Sequence, residues 1–101
     1  MDLLNQLMPE EMAVALGAKA KALRLLAGWK RLTLAERAGV SGASLKRFEQ
    51  TGQASLELVL RVALSLGRLE EFGTLLAPPP ARSIDELDRR LRQPLPKRGV
   101  R

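Results

Sequence analysis

The 101-residue chain has no cysteine, no histidine and no tyrosine, and its only aromatic residues are Trp29, Phe48 and Phe72. Zinc sites, disulfide scaffolds, thiol nucleophiles and histidine-based triads all require side chains that are missing here. The expectation is therefore a protein that is not an enzyme, with no catalytic residues, no metal and no cofactor. A chain without thiols also fits the reducing cytoplasm. No apolar run approaches the roughly 18 residues that cross a bilayer, and the N-terminus lacks the basic-then-apolar order of a signal peptide. A cytoplasmic protein without membrane contact is expected.

Strand formers are scarce as well. Val, Ile and Thr together number nine, whereas about a fifth of the chain is Leu and much of the rest is Ala or charged. This mix predicts an all-α fold, and the length leaves room for one compact domain. The net charge of +6 is unevenly placed. Residues 1–15 carry −3, residues 16–50 carry +6, residues 51–76 carry −1 and residues 77–101 carry +4, so the positive charge sits in one central block and in the tail.

Punctuation divides the helical region into five. Pro9-Glu10-Glu11 opens a first helix that runs through Leu16, Leu23 and Leu26 to Gly28, with Gly17 as a potential kink. Asp2 to Leu7 read as a loose amphipathic turn before it. A second helix, Arg31 to Ala38, turns Leu34, Ala35 and Ala38 inward and ends at Gly39. Ser41 caps a third over Gly42 to Gln50, with Leu45 and Phe48 pointing into the core. Ser55 caps a fourth, which carries Leu56, Val59, Leu60 and Ala63 on one face and ends at Gly67. The fifth, Arg68 to Leu76, sets Leu69, Phe72, Leu75 and Leu76 on a stripe. Residues 1–76 thus form the helical domain. Residues 77–101 form a tail broken by Pro78-Pro79-Pro80, with Ser83-Ile84-Asp85-Glu86 as a capping box for a short helix over 83–92 and a basic, disordered end.

The segment from Trp29 to Glu49 places two short helices around a tight turn at Gly39, a helix-turn-helix. The second helix of such a pair presents its N-terminus and outward side chains to a DNA major groove about 12 Å wide. Its outward positions include Ala43, Ser44, Lys46 and Arg47. Arg47 and Lys46 suit guanine O6 and N7, Ser44 can donate or accept, and the Ala43 methyl suits a thymine methyl. Lys30, Arg31 and Ser41, with the amides that follow Ser41 from Gly42 on, are placed for phosphates.

Gly28, Leu34-Ala35-Glu36-Arg37-Ala38-Gly39-Val40-Ser41, Glu49 and Gly52 reproduce a spaced pattern over about residues 16–66, and here the chain resembles the Xre/Cro-type helix-turn-helix family. The resemblance implies a five-helix Cro/repressor-like domain, and a buried pair of Arg24 with Glu49 fixing the third helix to the first. Three departures stand out. Arg31 and Lys30 replace the family's Gln and its Ser or Thr cap, Gly42 stands where a long polar reader is common, and Gly52 falls one position late. Over nearly the full chain, from Pro9-Glu10-Glu11 to Ser83-Ile84-Asp85-Glu86-Leu87 and the basic end, the layout resembles small antitoxins of Hip-type serine/threonine kinase toxins. That resemblance implies a homodimer that binds operator DNA, represses its own operon and binds a kinase toxin.

Simpler readings stand beside these. Basic residues on a small helical protein commonly form a solvated face, Trp29 and Phe48 fit the core, and Arg24 with Glu49 can be an ordinary surface pair. Leu69, Phe72, Leu75 and Leu76 either close the core over the first helix or form a dimer interface. A stand-alone repressor without a toxin, and a protein-interaction module that no longer reads DNA, are the alternative functions.

Overall fold

The computed structural model describes residues 8–93. Among these residues the chain is entirely helical, with α1 (Pro9–Leu26), α2 (Arg31–Ala38), α3 (Gly42–Thr51), α4 (Leu56–Ser65), α5 (Glu70–Gly73) and α6 (Ile84–Arg92) in order. None of the described helices is long and apolar enough to cross a membrane. The expected turn over Asp2 to Leu7 and the end from Pro94 onward lie outside the described residues.

Each boundary has a local cause. Pro9 opens α1 at a position where a missing amide proton costs nothing, and the Glu11 carboxylate reaches back to accept from the Met8 amide at 3.4 Å. Ser41 and Ser55 cap α3 and α4, their hydroxyl oxygens accepting from the Ser44 amide at 3.0 Å and the Leu58 amide at 3.1 Å. Gly39 ends α2 in the left-handed region at φ 69°, which lets the Val40 amide donate back to the Ala35 carbonyl at 3.0 Å and turns the chain into α3.

The core is built by α1 to α4. Leu34, Ala35 and Ala38 of α2, Leu45 and Phe48 of α3, Leu58 and Val62 of α4 and Ala20 of α1 form one buried cluster, with Leu16, Trp29, Val40, Val59 and Leu66 packed against it. Completely burying a side chain such as Leu34 or Leu45 contributes about 1.5–3 kcal/mol each. On α1 the buried positions are Gly17, Ala20 and Arg24, at i, i+3 and i+7. Gly17 does not interrupt α1, which runs unbroken past it.

Three expectations change. The inward face of α4 is Leu58, Val62 and Ala63, while Leu56 points to solvent. The run Leu56-Glu-Leu-Val-Leu-Arg-Val-Ala-Leu is apolar almost all round, so its periodicity does not select a face. The fifth helix is a single turn over Glu70–Gly73 rather than Arg68 to Leu76. Gly73 is a poor helix residue, the Thr74 hydroxyl caps back onto the Glu71 carbonyl at 3.1 Å, and Leu76 takes φ 55° on the way into the prolines. In α6, Ser83 caps as expected, accepting from the Glu86 amide at 3.1 Å, but the Glu86 carboxylate accepts from the Arg82 amide at 2.7 Å, one residue before the cap. That contact holds the Glu86 carboxyl below its ordinary value. All of α6 apart from Glu86 is exposed, and it contributes nothing to the core.

Candidate nucleic-acid interface

Helix α3 has two unlike faces. Leu45, Phe48 and Glu49 are buried, whereas Ala43, Ser44, Lys46 and Arg47 are exposed. The exposed residues fall on the side away from α1, and the Ser41-capped N-terminus of the helix is at the surface, with Gly42 half-buried beside it. The Ser41 hydroxyl donates to the Ser44 hydroxyl oxygen at 2.8 Å, which leaves the Ser44 proton free to donate outward.

Three features hold α3 against α1. At one crossing point, a β-carbon on Gly17 would lie inside van der Waals contact of the Phe48 carbonyl oxygen, so the helices approach as closely as a bare backbone allows. At the C-terminus of α3, Gly52 takes φ 80°, and a β-carbon there would fall closer than 3.0 Å to the backbone of Ala13 and Val14. The third feature is a buried ion cluster. Arg24 donates through Nε to Glu49 Oε2 at 2.8 Å and through Nη2 to Glu49 Oε1 at 3.0 Å, a two-point pairing with the carboxylate. Its Nη1 donates to the Trp29 carbonyl at 2.9 Å. The Glu49 side chain is wholly buried and that of Arg24 is 6% exposed, so the surface-pair reading does not hold.

Glu49 has a second cation. Arg31 Nε donates to Glu49 Oε1 at 3.1 Å from the start of α2, and the Arg31 side chain is 30% exposed. One carboxylate thus meets two guanidiniums, leaving the cluster with a net positive charge whose exposed part is Arg31. This arginine combines two roles: its Nε edge is committed to the fold, and its terminal nitrogens remain available at the surface next to the exposed Lys30. Among the described residues, every buried side-chain nitrogen and oxygen has a hydrogen-bond partner. Nearby, the Arg37 guanidinium, in the last turn of α2, lies 4.4 Å from the centre of the half-buried Trp29 ring, which precedes the helix, a cation–π contact.

On the exposed face of α3, Arg47 is paired as well. Its Nε and Nη2 both donate to Gln53 Oε1, the first at 2.9 Å. Sequence reasoning singled out neither Gln53 nor the steric role of Gly17. The late position of Gly52 is the one signal that the end of α3 departs from the family pattern.

The four residues expected at a dimer interface do not share a stripe. Phe72 is half-buried and lines an apolar cavity of about 140 Å³ with Leu16, Leu23, Val59 and Leu66. Leu69 and Leu75 are exposed, and Leu76 is fully exposed beyond the end of α5. Arg68 pairs with Glu71 at the mouth of this cavity, and the hydrogen bond from Arg68 holds the Glu71 carboxyl below its ordinary value.

Comparison of the chain with protein-family models, with curated proteins and with solved structures finds no match.

Proposed function

We propose that this chain is a sequence-specific DNA-binding repressor with a Cro-like helix-turn-helix, acting as a homodimer on two half-sites of operator DNA. The observation that carries the reading is the two-faced α3. A helix clamped to its scaffold through Gly17, Gly52 and Glu49 exposes Ala43, Ser44, Lys46 and Arg47 and is flanked by Lys30 and Arg31. A rigid helix with a free N-terminus and outward basic residues suits the major groove. In this reading Lys30, Arg31, Ser41 and Gly42 contact phosphates, and Ala43, Ser44, Lys46 and Arg47 face base edges. Leu69, Leu75 and Leu76 supply apolar surface for the second copy, and repression is steric.

Equilibrium binding to duplexes across a salt series tests this. A dimer neutralising about six phosphates gives a slope of log K against log salt near −5, and a slope near zero would favour a protein-interaction module, a reading consistent with the small side chains at Gly42 and Ala43. Within the DNA-binding reading, Arg31→Ala weakens all duplexes alike, while Arg47→Ala lowers the ratio of specific to nonspecific affinity.

The narrower role, antitoxin to a Hip-type serine/threonine kinase and repressor of the shared operon, rests on the resemblance of the chain's layout. Co-expression with the adjacent reading frame tests it. Co-purification of a kinase-sized protein together with relief of its growth inhibition supports the antitoxin role, and neither effect leaves a stand-alone repressor.

A further inference from the structure

Gln53 belongs neither to α3 nor to α4, yet its side chain determines where Arg47 points. Three hydrogen bonds fix the backbone that carries it. The Thr51 hydroxyl donates to the Arg47 carbonyl at 2.7 Å and accepts from the Gln53 amide at 3.1 Å, and the Gly52 amide donates to the Phe48 carbonyl at 2.8 Å. Gly52 is also pressed against the backbone of Ala13 and Val14, so the loop cannot shift without moving α1. The Gln53 carboxamide oxygen therefore starts from a fixed point when it accepts from Arg47 Nε and Nη2.

A guanidinium carries five N–H donors in one plane. Gln53 occupies the lateral edge formed by Nε and Nη2. The terminal edge, formed by Nη1 and the outer proton of Nη2, stays open as two parallel donors. That fork matches the O6 and N7 acceptors of guanine, the base whose major-groove edge offers two acceptors side by side. A long, exposed side chain without such a partner loses rotamer freedom when it binds, and one already held loses less. From this geometry we infer that Gln53 is a positioning residue for base reading, which presents the Arg47 fork to one guanine of each half-site. The inference rests on the DNA-binding reading above and adds to it the residue that aims Arg47 at the guanine edge.

The test is selection from randomised duplexes by the full chain, followed by competition binding with single-position variants of the selected site. The parent chain selects guanine at one position of each half-site, and Arg47→Ala abolishes that preference. Gln53→Ala lowers it about fivefold, the low end of what a bidentate base contact supplies, with the melting temperature and the salt slope unchanged. Gln53→Glu keeps an acceptor for Arg47 and restores the guanine preference, at lower overall affinity because it adds a negative charge near phosphates. A Gln53→Ala preference equal to or sharper than the parent's, while Arg47→Ala loses it, overturns the inference and leaves DNA reading intact. A parent chain that binds all duplexes alike, or none, overturns the DNA-reading assignment and this inference with it.

Discussion

Glu49→Ala is the most informative single perturbation of this fold. The Glu49 carboxylate accepts two bonds from Arg24 and one from Arg31. Its loss leaves the Arg24 guanidinium buried with one remaining partner, the Trp29 carbonyl. Removing one member of a buried ion pair costs about 3–5 kcal/mol, because the other charge is stranded in a poor solvent. Arg31 is 30% exposed and can turn to water, so its lost bond adds little. The expected cost is about 3–4 kcal/mol, which for a domain of this size lowers the melting temperature by about 15–25 °C. Since small domains have only about 5–15 kcal/mol in hand, the variant should sit near the edge of folding. A second variant separates a stranded charge from a lost attraction. In Arg24→Met with Glu49→Leu neither charge remains, and apolar replacements of similar volume should recover most of the stability. Thermal and urea melts followed by circular dichroism at 222 nm read both. A Glu49→Ala melting temperature within a few degrees of the parent, or a double variant as unstable as the single one, would refute the reasoning.

Other expectations follow from the same contacts. Gly17→Ala forces a methyl against the Phe48 carbonyl and separates α1 from α3, at about 2–3 kcal/mol by urea denaturation. Gly52→Ala meets both a φ of 80° and the backbone of Ala13, and should cost at least as much. Truncation after Leu76 removes α6, none of whose side chains joins the core, so the melting temperature of residues 1–76 should stay within about 2 °C of the full chain. The depressed Glu86 carboxyl makes the α6 start acid-sensitive. Its contribution is complete above the ordinary carboxylate pKa and is lost as pH falls through the lower, folded-state value. The protection of the Glu86 and Leu87 amides, corrected for the intrinsic exchange rate at each pH, should therefore fall on acidification below about pH 4 while that of the core amides holds.

Much of this architecture was legible because its signals are punctuation. Pro9, Ser41, Ser55, Ser83 and the glycines at 28, 39 and 67 mark helix ends through local backbone chemistry, which needs no knowledge of the partner elements. What failed depends on the third dimension. Leu56 and Leu58 are equally apolar, and only the position of α2 decides that Leu58 turns inward. Gly17 reads as a helix weakness until α3 is seen crossing it. Arg31 reads as a free phosphate ligand until Glu49, 18 positions later, accepts a hydrogen bond from its Nε. Gln53 lies in a loop with no periodicity at all, and its meaning appears only once the Thr51 hydroxyl, bonded to the Arg47 carbonyl and the Gln53 amide, brings it back to Arg47.

The way α3 is held separates what keeps the fold from what would read a ligand. Anchoring falls to Leu45, Phe48 and Glu49, and to two glycines, Gly17 on α1 and Gly52 at the C-terminus of α3, where a side chain is absent. Ala43, Ser44, Lys46 and Arg47 take no part in it. Substitutions at those four positions should therefore stay within about 0.5 kcal/mol of the parent stability, the usual range for surface sites. Ser44 bonds only to the adjacent cap residue Ser41, and Arg47 only to Gln53, which is itself exposed, so that bond too is worth little to the fold. A bond that adds little stability, made by an arginine on the exposed face of a rigid helix, has its clearest physical use in orientation. For that reason the Arg47–Gln53 pair is better judged by a base-preference profile than by a melting curve.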